Sequence, residues 1–178
     1  MTREVSDFDK KAYGIIRQSV SRFLAEVAMI HDADGRTLLD IAPQDHAGAR
    51  EHFKRATARA ADIDAESGAD FIMDICQRNE EIVPDGTFDF VVCTEVLEHT
   101  LNPFAAVDEI RRMLKPGGYA FVTTPFNFRI HGPLPDCWRF TVHGLNALFR
   151  DFSELEVQEI EDEERFLMPV HYTTIARK

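Results

Sequence analysis

The stretch FDFVVCTEVLEHTLNPFAAVDEIRRMLKPGGYAFVTTP, Phe88 to Pro125, decides the fold. It opens with FDFVVC (Phe88–Cys93), a short apolar run rich in aromatic and β-branched residues, which predicts a strand. Asn102 then suits an N-cap and Pro103 the first helical position, where its missing N–H costs nothing. Val107, Ile110 and Leu114 follow at three- and four-residue steps and line one helix face. Pro116-Gly117-Gly118 is expected to stop that helix, and YAFVTT (Tyr119–Thr124) reads as the next strand. A strand, a helix and a second apolar strand make a crossover unit, which requires a parallel sheet covered by helices.

The same grammar extends outward. TLLDIA (Thr37–Ala42), RAADI (Arg59–Ile63) and DFIMDI (Asp70–Ile75) are three further buried strands upstream. Before them, Ser6 and Asp9 form a capping box. Ile16, Val20, Phe23, Leu24 and Val27 make one apolar helical stripe, and HDADG (His31–Gly35) is a turn. Downstream, a helix is expected from about Val142 to Phe149. Leu155–Ile160 and Val170–Ala176 then read as an antiparallel hairpin on the sheet edge. The chain is expected to be one domain, 1–178, with an N-terminal helix over 1–30 and an α/β core over 37–178.

Composition bounds the function. With 178 residues, 44% hydrophobic and 29% charged, the chain is long enough for one sizeable core. That excludes a disordered, fibrous or membrane-embedded protein. The formal charge of −11 repels phosphate backbones and anionic lipid, so neither nucleic acid nor membrane is an expected partner. MTREVSDFDKK has no apolar stretch behind its charges and does not read as a signal peptide. Cys76, Cys93 and Cys137 are scattered and odd in number, as reduced thiols of a cytoplasmic protein would be. The acidic run Asp151–Glu164 reads as a solvated strand and loop.

In an open α/β sheet, ligands bind beyond the carboxyl ends of the strands. Acids fall at those ends: Asp40 on the first, Asp62 on the second 22 residues later, Asp74 on the third, and Glu95 after Thr94 on the fourth. One acid there can simply cap the next segment. Four in succession point to a nucleoside-like ligand, with Asp62 placed to accept both protons of a ribose diol.

Over Phe88–Phe149 these residues resemble the class I S-adenosylmethionine-dependent methyltransferases of the small bacterial type. The matching motifs are FDFVVCTEVLEH, the LKPGG stop, and an H-x-x-P-x-D-x-W-R-F-T segment within PFNFRIHGPLPDCWRFTVHGLNALF. The resemblance implies a Rossmann-like doubly wound sheet of about seven strands, mostly parallel with the last antiparallel and with helices on both faces. It implies S-adenosylmethionine as cofactor. Asp40 would border its methionine end, Asp62 its ribose, and Asp74 with Ile75 its adenine. Thr94 and Glu95 would line the other side, and Ala42 and Ile63 complete the cofactor-contacting set.

The departure is the first loop. The family's glycine-rich turn is replaced by Ala42-Pro43-Gln44-Asp45-His46, with no glycine before Gly48. Proline removes a donor and fixes φ, so the loop must take a different path. A nicotinamide dehydrogenase is excluded, because G-x-G-x-x-G is missing.

On the acceptor side, His131 is the candidate general base and Asp136 its orienter or substitute. Trp138 and Arg139 are expected to brace this loop by packing and an ion pair. No metal site is expected: Glu95 and His99 share helical spacing, but His99 reads as a cap or packing residue. Asp62, Asp64 and Glu66 only imitate a calcium loop, with Met73 at its twelfth position. The expected function is S-adenosylmethionine-dependent methyl transfer to a small-molecule or sugar-like acceptor. The alternative is a catalytically inactive methyltransferase-like binding or scaffold protein, supported by the glycine-poor loop. A homodimer is left open.

Overall fold

In the computed structural model, residues 5–43, 48–162 and 166–178 are described. Gln44, Asp45 and His46 of the divergent loop lie outside them. The seven strands are β1 (Thr37–Ile41), β2 (Thr57–Asp62), β3 (Phe71–Ile72), β4 (Phe88–Thr94), β5 (Leu114–Pro125), β6 (Glu154–Ile160) and β7 (His171–Arg177). They form one sheet in the order β3-β2-β1-β4-β5-β7-β6. The pairs from β3 through β5 are parallel. β7 runs antiparallel to both β5 and β6, so the expected hairpin closes that edge.

The expected helices form α1 (Asp7–His31), α2 (Pro103–Met113) and α3 (Val142–Leu148). Ser6 caps α1: its hydroxyl oxygen accepts from the Asp9 N–H and its O–H donates to the Asp9 carboxylate. Phe23, Leu24, Val27 and Ala28 of α1 pack with Phe53 onto Leu38, Phe90, Val92 and Phe121 of the sheet. The alternate residues Leu39, Val91, Cys93 and Val122 point the other way, onto Val107 and Ile110 of α2 and Leu145 of α3. Helices therefore cover both faces, and the central strands are apolar throughout because neither face meets water.

Two local expectations are corrected. The helix α2 ends at Met113, but Pro116-Gly117-Gly118 forms no loop outside the sheet; it lies within β5, at a register shift where Leu114 pairs with Phe88 and Tyr119 with Phe90. Gly118 is required there, since a Cβ would sit 2.8 Å from the Asp89 carbonyl oxygen. The third strand is only two residues long. The Asp70 carboxylate instead accepts from the Ala60 N–H at 2.7 Å and pairs with Arg50, and Asp74 accepts from the Cys76 N–H. Both ends of the expected strand thus become turns. At the opposite end of the sheet, buried Asp89 gathers Arg36, Lys115 and Thr37, which hold its carboxyl far below the usual carboxylate range against the cost of burial.

Candidate active site

A cleft of about 630 Å³ opens at the carboxyl ends of β1, β2 and β4, walled by α1 on one side and the loop after β5 on the other. The volume is within the usual range for small-molecule sites. Ala42, Asp62, Ile63, Asp74, Ile75, Thr94, Glu95 and His131 all line it. So do Tyr13, Arg17 and Val20 of α1, the N-terminal helix, which the short chain leaves as one of the elements that could complete an otherwise open site.

Asp40 and Asp136 stand behind the wall instead of on it. Asp40 is buried, and its Oδ2 accepts from the Ala49 N–H at 2.7 Å. It thereby ties the turn Gly48–Glu51 to β1. Burial pushes the Asp40 carboxyl up to about 6. Above it, Ala42 adopts φ 50° and donates its N–H to the Ala61 carbonyl at 2.7 Å. A left-handed residue thus stands where the family has glycine, and the strained backbone is held by a sheet-like bond.

Asp62 and Asp74 each fix their own direction through a short loop. Asp62 Oδ1 accepts from the Asp64 N–H at 2.9 Å, and Asp74 Oδ1 from the Cys76 N–H at 2.8 Å. A carboxylate offers about four acceptor sites, so each retains capacity for a ligand.

Glu95 also has a left-handed backbone, φ 56°, and its N–H donates to the Thr123 carbonyl. Its Oε1 accepts from Thr123 Oγ1 at 2.9 Å and from His171 Nε2 at 2.6 Å. Buried His171 reaches Ser19 Oγ of α1 through Nδ1, at 2.9 Å. Burial raises the Glu95 carboxyl, but His171 and Thr123 outweigh it and hold the group below its ordinary value. Ser19 and His171 were not legible as site residues. They meet Glu95 only because β7 inserts beside β5 with α1 packed across it.

Next to Glu95, the one-turn segment Leu97–His99 sinks Glu98 completely, at 0% exposure. Neither Glu98 carboxylate oxygen has a hydrogen-bond partner. Burial and the charge on Glu95 push its carboxyl up to about 7. The Glu98 carbonyl is occupied, accepting from the N–H groups of Cys137 and Trp138. His99 Nε2 and His131 Nε2 lie 3.8 and 3.7 Å from Glu98 Oε1, and the two rings meet edge to face at 4.8 Å. Burial lowers the His99 imidazole, whereas Glu98 raises that of His131 against the effect of burial.

Behind His131, Asp136 Oδ2 accepts from its backbone N–H at 2.9 Å and lies 3.2 Å from its Nδ1. Arg139 clamps both Asp136 oxygens, which holds that carboxyl down to about 2. Asp136 thus holds the His131 backbone, while the buried His131 Nδ1 makes no hydrogen bond. Trp138 donates to the Thr100 carbonyl and stacks on Phe140, and Arg139 pairs with Asp136, so the packing and the ion pair expected of Trp138 and Arg139 are both present. The three cysteines are free thiols, and among the described residues no helix is long and apolar enough to cross a membrane.

The methyltransferase-domain family matches residues 8–162. A ubiquinone biosynthesis O-methyltransferase of Photobacterium profundum is 32% identical over 101 residues, 57% of this chain and 38% of that protein. The match thus spans little more than a third of that relative. Two solved S-adenosylmethionine-dependent methyltransferases share the fold. The Archaeoglobus fulgidus structure has a TM-score of 0.65 at 17% identity, covering 96% of this chain and 98% of the other. The Mesorhizobium loti structure has a TM-score of 0.63 at 16% identity, covering 85% and 94%. The expected fold and resemblance both hold: the chain belongs to the methyltransferase-domain family, class I, whose cofactor is S-adenosylmethionine.

Proposed function

We propose that the protein transfers a methyl group from S-adenosylmethionine to an oxygen of a small hydroxylated acceptor. The carrying observation is the polarity of the cleft. Carboxylates Asp62 and Asp74 line the cleft, where they would meet a nucleoside, and the imidazoles of His99 and His131 line the same space. The choice of oxygen draws on the O-methyltransferase relative.

The residues fit the cofactor. Asp62 would accept from the ribose hydroxyls, Asp74 from the adenine amino group, and Ile63 and Ile75 would offer apolar contact to the ring. Ala42, with Thr94 and Glu95, would border the methionyl portion. When bound, S-adenosylmethionine supplies an electrophilic methyl group, so that one oxygen–carbon bond forms as the carbon–sulfur bond breaks and a neutral thioether leaves. This chain's contribution is placement, since an in-line displacement gains mainly from holding the two reactants in register. His131 holds the acceptor side and, as a neutral imidazole, takes the hydroxyl proton at Nε2, with Asp136 holding its backbone.

The experiment is incubation with methyl-labelled S-adenosylmethionine and a panel of phenols, vicinal diols and sugars. Label should pass to a small molecule, and His131→Ala should lower the rate by ~10²–10⁴-fold without changing cofactor affinity. Cofactor binding with no label moved to any acceptor would favour the scaffold reading, for which the glycine-poor loop is the supporting feature.

A further inference from the structure

We propose that Glu98, His99 and His131 form a binding site for one first-row divalent transition-metal ion, set in the acceptor-side wall of the cleft. The ligand atoms of these three residues lie within 4.8 Å of one another. Two atoms each ~2.1 Å from a shared ion are ~3.0–3.4 Å apart at tetrahedral to octahedral angles. The observed 3.7 and 3.8 Å from Glu98 Oε1 to the two nitrogens need a few tenths of an ångström of closure, and the two imidazoles, whose ligand atoms lie within 4.8 Å, would close by up to about 1.5 Å through side-chain rotation. These distances are also too long for hydrogen bonds, so the three groups converge without satisfying one another.

Glu98 is the second, independent observation. It is wholly buried, with both carboxylate oxygens unpartnered. Buried carboxylates are ordinarily paired, hydrogen-bonded or bound to a metal. Removing Glu98 from water without any of these carries a large penalty, and a cation between Glu98 and the imidazoles removes it. Glu95, the acid that helical spacing would have paired with His99, is committed to His171 and Thr123 instead.

An outer hydrogen bond orients His99 as a ligand, and a carboxylate stands beside His131. His99 Nδ1 is 2.9 Å from the Pro135 carbonyl, which can only accept. Nδ1 therefore carries the proton and Nε2 keeps its lone pair toward Glu98. His131 presents Nδ1 to Asp136, itself fixed by Arg139, and Nε2 toward the same Glu98 oxygen. A carboxylate or carbonyl behind each histidine is the usual support of a metal-binding imidazole. Two imidazoles and one carboxylate suit zinc, iron, cobalt or manganese better than magnesium or calcium, which favour all-oxygen shells. His99 and His131 face the cleft while Glu98 lies behind them, so the remaining coordination positions open on the acceptor space.

The consequence for catalysis rests on the methyl-transfer reading above. A hydroxyl oxygen coordinated to such an ion loses its proton to water more readily. His131 Nε2 is then a ligand, and its role as base belongs to the metal-free protein alone.

The test uses the intact protein, stripped with a chelator and titrated with Co²⁺ in the absence of S-adenosylmethionine. One Co²⁺ per chain should bind, with a visible absorption band that Zn²⁺ displaces. Glu98→Gln and His99→Ala should each weaken Co²⁺ binding by at least tenfold. Thermal melts confirm that the variants fold; Glu98→Gln, isosteric and uncharged, is the safer of the two. No Co²⁺ binding at millimolar concentration, or equal binding in both folded variants, would overturn the proposal. S-adenosylhomocysteine is titrated into the same stripped protein. Its failure to bind, with Co²⁺ still bound, would remove the methyl-transfer reading and leave the cation site standing. Full turnover in the stripped protein would overturn the ion's catalytic role.

Discussion

Replacing Asp62 by alanine separates ligand recognition from folding at the nucleoside end of the cleft. The side chain is 9% exposed and makes one intramolecular bond, from the Asp64 N–H to Oδ1. Its loss should cost ~0.5–1.5 kcal/mol of stability, the net worth of an ordinary hydrogen bond. Ribose hydroxyls donating to the carboxylate make charge-assisted bonds worth ~1.5–3 kcal/mol each. Losing one weakens binding ~10- to 150-fold, and losing both weakens it further. Asp62→Asn keeps an acceptor for Asp64 but drops the charge, so its affinity should fall between wild type and Asp62→Ala. Calorimetric titration with S-adenosylhomocysteine gives the affinity, and a thermal melt gives the stability. Affinity within threefold of wild type in Asp62→Ala would refute the ribose assignment. A collapse of the melt with unaltered affinity would make Asp62 a purely structural residue.

Two further substitutions test the loop that replaces the glycine-rich turn. Asp40 has a carboxyl raised to about 6 when folded, against ~3.9 when unfolded, so the folded state holds the extra proton between those values. Stability therefore falls as pH rises through that window, by ~1–3 kcal/mol in all. Asp40→Asn can still accept from Ala49 without the charge, so it should exceed wild type at pH 7 and match it at pH 4. Denaturant unfolding at the two pH values checks this, and an equal difference at both would refute it. Gly48→Ala should destabilise by ~1–3 kcal/mol, because φ is +59° and a Cβ would lie 2.3 Å from Asp40 Oδ2 and 2.9 Å from Pro43 Cβ. Gly14→Ala, with open space on α1, should instead stabilise slightly, and comparing the two melting temperatures decides the point.

The sheet was legible because buried parallel strands must be apolar on both faces. FDFVVC and YAFVTT have that signature, and Asn102-Pro103 marks the helix between them. The third strand was overread because apolar residues at Phe71–Ile75 suggested pairing that Asp70 and Asp74 divert into turns. The bulge at Lys115–Gly118 escaped for a related reason: Pro-Gly-Gly commonly ends an element, and only the close approach of Asp89 places it inside one. Of the strand-end acids legible in the sequence, Asp62, Asp74 and Glu95 lie at or just beyond the ends of β2, β3 and β4 and line the cleft, whereas Asp40 lies inside β1 and stands behind the wall. Glu98 was not legible, since LEH reads locally as a cap. Its importance comes from His131, delivered by the loop after β5, and from the packing that dries it. The Glu95–His171–Ser19 chain joins three distant segments and has no local signature.

The most direct test of the account is calorimetric titration of S-adenosylhomocysteine and S-adenosylmethionine into the wild-type protein. The account predicts one site per chain for each. It also predicts that ligand at 100 times its dissociation constant stabilises the fold by ~2.7 kcal/mol, read as a rise in melting temperature. No heat of binding and no melting shift at millimolar ligand would contradict it.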